Sequence, residues 1–311
     1  MKETNVDRIE DVDARTWLLV PGDHPDRFGT PAVREADALV LDLSSAVDDK
    51  ERALYAVTRH LCGGGTAWVR VNGSDIDLSS ESIRAVVAGP GLQGIILSRT
   101  ESVDQVAVLK AQLRADVMIV ALLETAAGIE NAGRIAAAHG ILRLAFGSSD
   151  LRHELGVMDE AAALLYARSR LVIASRAAGL PGPIDGPSVD LNDMVALGED
   201  LRHVVGLGFT GKLCLHPRQL RMTNTAFAPP PSTLAWARRV LAATGGSDTP
   251  AVRVDGKVVD WETIEAARCI VARAALFDPT EARRESAEAR ARRAWSHQDG
   301  VSPKPTWRFE S

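Results

Sequence analysis

Two acidic residues stand just after apolar runs that have the character of buried strands. Glu124 directly follows residues 120–123, and Asp150 follows residues 144–146 after three small residues. In a parallel α/β fold the carboxyl ends of neighbouring strands meet at one rim, where ligands bind. Together the two carboxylates therefore predict a divalent-metal site at that rim, although either acid alone is as well explained as a helix cap.

The candidate metal site predicts a particular chemistry. Two carboxylates suit Mg²⁺, with Mn²⁺ as a second option, because Mg²⁺ takes oxygen ligands and keeps several waters. The open coordination positions would then accept the two oxygens of a 2-oxo acid. Arg70, the main cation among the predicted strand ends, would fork onto the carboxylate of that acid. Such a metal acts as a Lewis acid on an oxygen that gains charge during carbon–carbon cleavage.

The elements that would position these residues are short apolar runs alternating with amphipathic stretches. The strand-like runs cover residues 17–20, 38–41, 67–71, 94–97, 117–123, 142–146, 183–184 and 212–215. The helix-like stretches cover residues 48–61, 102–113, 128–138, 160–178 and 192–205. Nearly continuous apolar runs are typical of strands covered on both faces. Eight of them with helical crossovers predict an α/β fold of the TIM (β/α)₈ barrel class. No G-x-G-x-x-G follows the first run, which disfavours an open doubly wound sheet.

The domain organisation changes after the predicted barrel, which covers residues 1–227. A proline-rich segment opens a C-terminal extension over residues 228–277, with helical and hairpin patterns that predict a lid or an oligomerisation arm. Residues 278–311 are rich in charge, and this composition predicts a partly flexible tail.

Composition excludes several classes of partner. The 311 residues are 46% hydrophobic and carry a formal net charge of −5, which offers no basic field for nucleic acid. No apolar run approaches the ~20 residues of a membrane span, and the amino terminus lacks the apolar core of a signal peptide. These features predict a cytoplasmic protein. Cys62, Cys214 and Cys269 are widely spaced among small or apolar residues, which predicts reduced thiols that fill the core.

Nine motifs, in the right order, resemble the citrate lyase beta subunit and malyl-CoA or citramalyl-CoA lyase family of the HpcH/HpaI aldolase superfamily. They include Leu-Glu-Thr-Ala-Ala-Gly around Glu124, Ala-Phe-Gly-Ser-Ser-Asp ending at Asp150, and Val-Arg-Val-Asn around Arg70. The likeness extends over about residues 15–275. It implies a TIM barrel, Mg²⁺ held by Glu124 and Asp150, and an oxo-acid carboxylate bound by Arg70.

The same resemblance implies partners and an assembly. The substrates would be a small acyl thioester and a 2-oxo acid, and the protein would be a homo-oligomer, a trimer or hexamer, whose C-terminal segment reaches a neighbour's site. Asp260 matches the acid that some members contribute across that interface as general acid or base. On local grounds Asp260 is as well explained as the cap of the following helix.

The sequence departs from the family pattern at several positions. After the second strand the family usually has Asp-Leu-Glu-Asp, whereas this chain has Asp42-Leu-Ser44-Ser45. Asp42 stays a catalytic candidate in a site that is less anionic. After the fourth strand Ser-Arg99 replaces the usual Pro-Lys, and Arg15 and Arg99 are expected to supply part of the missing positive charge for the substrate.

Three further residues are candidates for substrate binding. Gly147 lacks a side chain next to the predicted metal site, which would allow a ligand to approach its backbone closely. Ser148 and Ser149 follow it and would offer amide or hydroxyl donors.

Three hypotheses of function follow. The favoured one is a Mg²⁺-dependent carbon–carbon lyase or aldolase acting on a 3-hydroxyacyl thioester or a related acyl substrate. The alternative keeps the fold with thioesterase-like chemistry, or with no catalysis, as a binding or scaffold paralogue. A nucleotide-binding enzyme is the weakest, because the G-x₄-G-K string at residues 206–212 lacks the Ser or Thr that should follow the lysine.

Overall fold

The structure is a computed structural model, which describes residues 11–44, 47–72, 81–157, 162–244 and 252–275. The chain forms two compact units, and the boundary between them falls between Phe227 and Ala228.

The first unit is a closed barrel of eight parallel strands in sequence order, with β1 paired to both β2 and β8. The strands are β1 (Thr16–Pro21), β2 (Ala38–Asp42), β3 (Ala67–Asn72), β4 (Leu92–Ser98), β5 (Met118–Leu123), β6 (Ile141–Phe146), β7 (Ile184–Asp185) and β8 (Gly211–Cys214). All eight predicted runs are strands, including the weak seventh one. The TIM barrel predicted from the alternating pattern is confirmed.

Helices connect successive strands. In the first unit they are α1 (Lys50–Cys62), α2 (Glu81–Ala88), α3 (Val103–Lys110), α4 (Ala126–Glu130), α5 (Ala132–Ala136), α6 (Ser148–Leu155), α7 (Leu165–Ala177), α8 (Met194–Leu207) and α9 (Leu220–Phe227). The predicted helix over residues 128–138 is two short helices that meet at Asn131. The pattern did not predict α2 or α9, which are each eight residues long.

The barrel interior is divided into an apolar half and a polar half. Near the amino ends of the strands, Trp17 and Trp68 pack edge to face with their ring centroids 5.0 Å apart. Arg143 lies fully buried beside them, with its guanidinium 5.8 Å from the Trp17 ring. Gly94 leaves the space that the Trp68 ring occupies, since a Cβ there would come within 2.3 Å of it. Because alternate residues of a strand point inward, Arg70 projects into the barrel two positions after Trp68, towards the carboxyl ends.

The second unit contains α10 (Pro231–Thr244), a hairpin of β9 (Val252–Val254) and β10 (Lys257–Val259), and α11 (Trp261–Ala275). The hairpin turn is Asp255-Gly256, and both residues have positive φ, as a tight two-residue hairpin turn requires. Val240, Val259 and Ile264 belong to a core of this unit's own.

The structure bears on two predictions from composition, one about membrane-spanning helices and one about the cysteines. None of the described helices is long and apolar enough to cross a membrane. The three cysteines are free thiols, but only Cys214 is buried, whereas Cys62 and Cys269 are exposed. The prediction that all three fill the core is therefore wrong for two of them, because both lie on outward faces of amphipathic helices.

Candidate active site at the carboxyl rim of the barrel

The two predicted metal ligands are brought together by adjacent strands. Glu124 is the residue after β5, and Asp150 lies in the first turn of α6, which begins just after β6. The two strands are paired in register, with Leu123 opposite Phe146. The carboxylates therefore belong to the same rim.

Glu124 is held by backbone groups on both sides. It is 5% exposed, and its Oε1 accepts a 2.8 Å hydrogen bond from the Arg99 amide. On the other side lies Gly147, where a Cβ would come within 2.3 Å of the Glu124 Cβ and 2.7 Å of its Oε2. A side chain at position 147 would push Glu124 out of place.

The electrostatics of this pair are unfavourable without a counter-ion. Burial raises the pKa of Glu124 to about 7, and Asp150 adds to the rise both by its charge and as a hydrogen-bond partner. Opposing effects come from the Arg99 amide and the Arg70 charge. Two carboxylates close enough to disfavour each other's ionisation form a site that a cation would stabilise.

Arg70 is held by Asp42 at the end of β2 and by Ser44 just after that strand. Its Nε and Nη2 donate to the two oxygens of Asp42 at 2.9 and 2.5 Å, and Nη2 also donates to the Ser44 hydroxyl at 2.9 Å. The Ser44 amide donates to Asp42 Oδ1 at 2.9 Å. Both Asp42 oxygens are engaged in this way, so the geometry gives the predicted catalytic Asp42 the role of orienting Arg70.

Arg70 also belongs electrostatically to the acidic pair. Burial alone would lower its pKa, but Asp42, with smaller effects from Glu124 and Asp150, outweighs burial and raises it. The guanidinium is therefore charged and lies in the field of both candidate metal ligands.

The donor set fits a hard divalent cation. Within the described ranges, no group of three or more His, Cys, Asp and Glu side chains is arranged to hold a metal. Glu124 and Asp150 thus offer a two-carboxylate site that leaves the remaining positions to water or substrate oxygens. Mg²⁺ is commonly held in this way, by one or two carboxylates.

A protein-family model matches most of the barrel unit. The HpcH/HpaI aldolase/citrate lyase model matches residues 15–217. The chain belongs to this family. The resemblance stated from the motifs is confirmed, and the matched region includes the whole rim just described.

Individual relatives of this aldolase/citrate lyase family carry two kinds of name. A citrate lyase subunit beta-like protein of Mycobacterium tuberculosis is 31% identical over 267 residues, covering 83% of this chain and 94% of that protein. A (3S)-malyl-CoA thioesterase of Cereibacter sphaeroides is 31% identical over 271 residues, covering 84% and 94%. Among solved structures, CitE of M. tuberculosis in complex with magnesium, acetoacetate and coenzyme A is similar with a TM-score of 0.70 and 30% identity, covering 85% of this chain and 99% of that one.

The position of Arg15 contradicts the prediction that it binds substrate. It stands just before β1, at the amino end of the strands, and its Nε and Nη2 bind the carboxylate of Asp37 at 2.9 and 3.1 Å. The rim with Glu124 is at the other end of the strands. Arg15 was predicted to bind substrate as a partial replacement for basic residues that the family pattern has and this chain lacks, but the geometry gives it a structural role.

Gly147 is also explained differently from the prediction. Its amide donates to the Leu123 carbonyl at 2.9 Å, so it continues the strand pairing and is not open to a ligand. The absence of a side chain makes room for Glu124 instead. Ser148 and Ser149 line a neighbouring cleft of about 560 Å³, together with Arg168 and Asp200. Arg99 contributes its amide to Glu124, while its side chain is exposed.

Asp260 lies in the second unit and caps α11. Its Oδ1 accepts hydrogen bonds from the Thr263 amide at 2.8 Å and from the Thr263 hydroxyl at 2.5 Å. These two bonds lower the pKa of the fully exposed Asp260 carboxyl. The helix-cap reading of Asp260 thus accounts for its contacts within one chain.

Sequence reasoning missed a buried ionic network beside the rim. Lys212 on β8 donates to Asp185 at 2.6 Å, to Asp200 at 2.8 Å and to the Gly186 carbonyl at 2.7 Å. Arg168 on α7 completes the network by donating to Asp185 at 3.3 Å. A buried charged residue within a strand, such as Lys212, was the available signal, but it was interpreted only as part of a nucleotide-binding motif.

Proposed function

We propose that the protein is a Mg²⁺-dependent carbon–carbon lyase that acts on a 3-hydroxyacyl thioester of the malyl-, citramalyl- or citryl-CoA type. Cleavage would release a 2-oxo acid and leave a shorter acyl thioester, and the reverse reaction would be a condensation. The observation that carries the proposal is the pair of Glu124, which is buried, and Asp150, which lies exposed at the same rim. Asp150 opposes the ionisation of Glu124 in the absence of a cation. Family membership and the magnesium and coenzyme A of the CitE structure support it.

The residues divide the work between binding and orientation. Glu124 and Asp150 would hold the cation, which when bound stabilises the charge that develops on a substrate oxygen. Arg70 would bind the carboxylate of the 2-oxo acid, since its guanidinium is half-buried and fixed by Asp42. A guanidinium that is already oriented loses little freedom when it binds a planar carboxylate. Ser148, Ser149 and the Arg99 side chain are proposed to contact the rest of the substrate.

The proposal includes an assembly. We infer a homo-oligomer, a trimer or hexamer, in which Asp260 of one subunit serves as general acid or base in a neighbour's site. The full exposure of Asp260 is compatible with a role between subunits.

A thioesterase is the second candidate function. It is favoured by the malyl-CoA thioesterase of C. sphaeroides, which is as similar to this chain as the citrate lyase-like relative. Both reactions would start from the same acyl thioester, so substrate-binding data alone do not separate them.

The products separate the two candidates. A lyase converts the hydroxyacyl thioester into a 2-oxo acid without releasing the thiol, whereas a thioesterase releases the thiol without forming a 2-oxo acid. We expect incubation of malyl-, citramalyl- and citryl-CoA with the protein and Mg²⁺ to yield a phenylhydrazone-forming product from at least one of them, with no free thiol at early times.

The controls are the same reactions with excess EDTA and with Asp150→Asn, and both should abolish the product. Thiol release in place of the 2-oxo acid would assign the thioesterase. No turnover of any of the three thioesters, in either direction, would overturn both enzymatic candidates and leave a binding or scaffold paralogue.

A further inference from the structure

We propose that Ser44 is a positioning residue that holds Arg70 away from the candidate metal ligands and so keeps one edge of its guanidinium available for the substrate carboxylate. The inference rests on the proposed function and deepens it, because it gives a role to Ser44 at a position where the family usually has a Glu. Ser44 does not touch the substrate in this account; it acts through Arg70.

Arg70 has more hydrogen-bond donors than Asp42 and Ser44 use. A guanidinium has five N–H groups in one plane. Nε and one N–H of Nη2 are used by Asp42, and the second N–H of Nη2 is used by the Ser44 hydroxyl. The two N–H groups of Nη1 have no acceptor in the described part of the chain. They form the edge that is left for a ligand.

Both residues that accept hydrogen bonds from Arg70 are buried. Ser44 is 6% exposed and Asp42 is 3% exposed, so water does not readily replace the hydroxyl as acceptor. A buried N–H of a charged group that loses its acceptor carries a large desolvation cost. Arg70 would therefore move to find another acceptor if the hydroxyl were removed.

The candidate metal ligands are the other acceptors that attract Arg70. Glu124 and Asp150 both attract the Arg70 charge, and both are acceptor-only groups when ionised. Without the Ser44 hydroxyl, the freed Nη2 donor is drawn towards these carboxylates, which turns the Nη1 edge away from the substrate position. The hydroxyl holds Arg70 in place without adding a further negative charge to a rim that already has three carboxylates.

The test compares Ser44→Ala, Ser44→Thr and the control Ser175→Ala with the wild-type protein. Thr keeps the hydroxyl, and Ser175 is a buried serine on α7 whose hydroxyl has no partner among the described residues. One readout is calorimetric binding of pyruvate at saturating Mg²⁺. The other needs no metal or substrate: the rate at which phenylglyoxal modifies Arg70, measured by peptide mapping.

We expect Ser44→Ala to weaken pyruvate binding by on the order of tenfold, the effect of one lost hydrogen bond to a charged group. The modification rate of Arg70 should fall, because its Nη1 edge turns away and Nη2 pairs with the rim carboxylates. Ser44→Thr should restore both readouts, and Ser175→Ala should change neither.

The outcomes distinguish the inference from the proposed function. Equal Arg70 modification rates in wild type and Ser44→Ala overturn the positioning role, whatever pyruvate does. If wild-type protein binds no pyruvate while the modification rates differ as expected, the positioning role stands and the oxo-acid function fails. A loss in Ser44→Ala that Ser44→Thr does not restore also overturns the inference.

Discussion

The absence of a side chain at Gly147 makes room for Glu124. A Cβ at residue 147 would come within 2.3 Å of the Glu124 Cβ and 2.7 Å of its Oε2, far below van der Waals contact. Gly147 is therefore required by packing against Glu124, and not by left-handed backbone or by contact with a ligand.

This packing makes a prediction for Gly147→Ala. The added methyl should displace Glu124 and lower the affinity for Mg²⁺ by about 10- to 100-fold, as the loss of a group that orients a metal ligand does. Calorimetric titration with Mg²⁺ measures the change. The barrel should stay folded, because Glu124 lies at the rim and can move outward.

Gly133→Ala is the matched control. A Cβ at position 133, inside α5, meets only the Arg170 side chain at 3.8 Å, so this change should leave the Mg²⁺ affinity unaltered. An unchanged affinity in Gly147→Ala as well would show that Glu124 is not a ligand of the cation.

The sequence predicted residues of the site well where position on a strand decides and poorly where a partner decides. Glu124 and Asp150 were found because each follows a strand. The pairing of Asp42 with Arg70 depends on the register of β2 against β3, which no local pattern contains. Arg15 was assigned to the substrate because its partner Asp37 could not be foreseen.

At the scale of elements, the turn after β4 orients a metal ligand through its backbone. Arg99 is one of two non-glycine residues with positive φ in the described chain, at 51°. The left-handed conformation costs an ordinary residue about 1–2 kcal/mol. In return it aims the Arg99 amide at Glu124.

A comparison of Arg99→Gly with Arg99→Ala tests this role of the backbone. Both changes remove the side chain, but glycine adopts positive φ without the steric cost. We expect the free energy of unfolding, from denaturant titration without Mg²⁺, to be higher for the Gly variant by about 1 kcal/mol. Alanine is usually the more stable of the two.

The same two variants separate backbone from side chain in function. Mg²⁺ affinity should be close to wild type in Arg99→Gly, because the amide that binds Glu124 is retained. A higher stability of the Ala variant would contradict the account of the turn, and would indicate that residue 99 relaxes out of the left-handed region.

The strands were more predictable than the helices or the barrel filling. Strands covered on both faces produce continuous apolar runs, and all eight were recognised. Short amphipathic helices such as α2 produce too few turns to show a clear period. The interior position of Arg143 was missed, because its partners Ala14, Gly182 and Thr210 come from distant parts of the sequence and meet only when the barrel closes.

At the scale of the whole molecule, the fold gathers from four different strands the groups that one ligand would need. Asp42, Arg70, Glu124 and Asp150 come from the ends of β2, β3, β5 and β6 or from just after them. The closed barrel brings them to one rim, and the apolar half beneath, with Trp17 and Trp68, gives that rim a rigid floor. The fold class followed from the order of strands and helices, whereas the substrate depends on contacts that the alternating pattern does not encode.

The central claim is that Glu124 and Asp150 jointly bind one Mg²⁺ ion, and calorimetric titration with Mg²⁺ tests it most directly. The proteins to compare are wild type, Glu124→Gln, Asp150→Asn and the control Asp116→Asn. Asp116 is an exposed acid before β5, at the opposite end of that strand.

We predict that one Mg²⁺ binds per chain in wild type and in Asp116→Asn. Either rim substitution should lower the affinity by more than about 100-fold, since even the partners that orient metal ligands are worth 10- to 100-fold. Wild-type affinity in Glu124→Gln or Asp150→Asn, with the protein folded, would contradict the account.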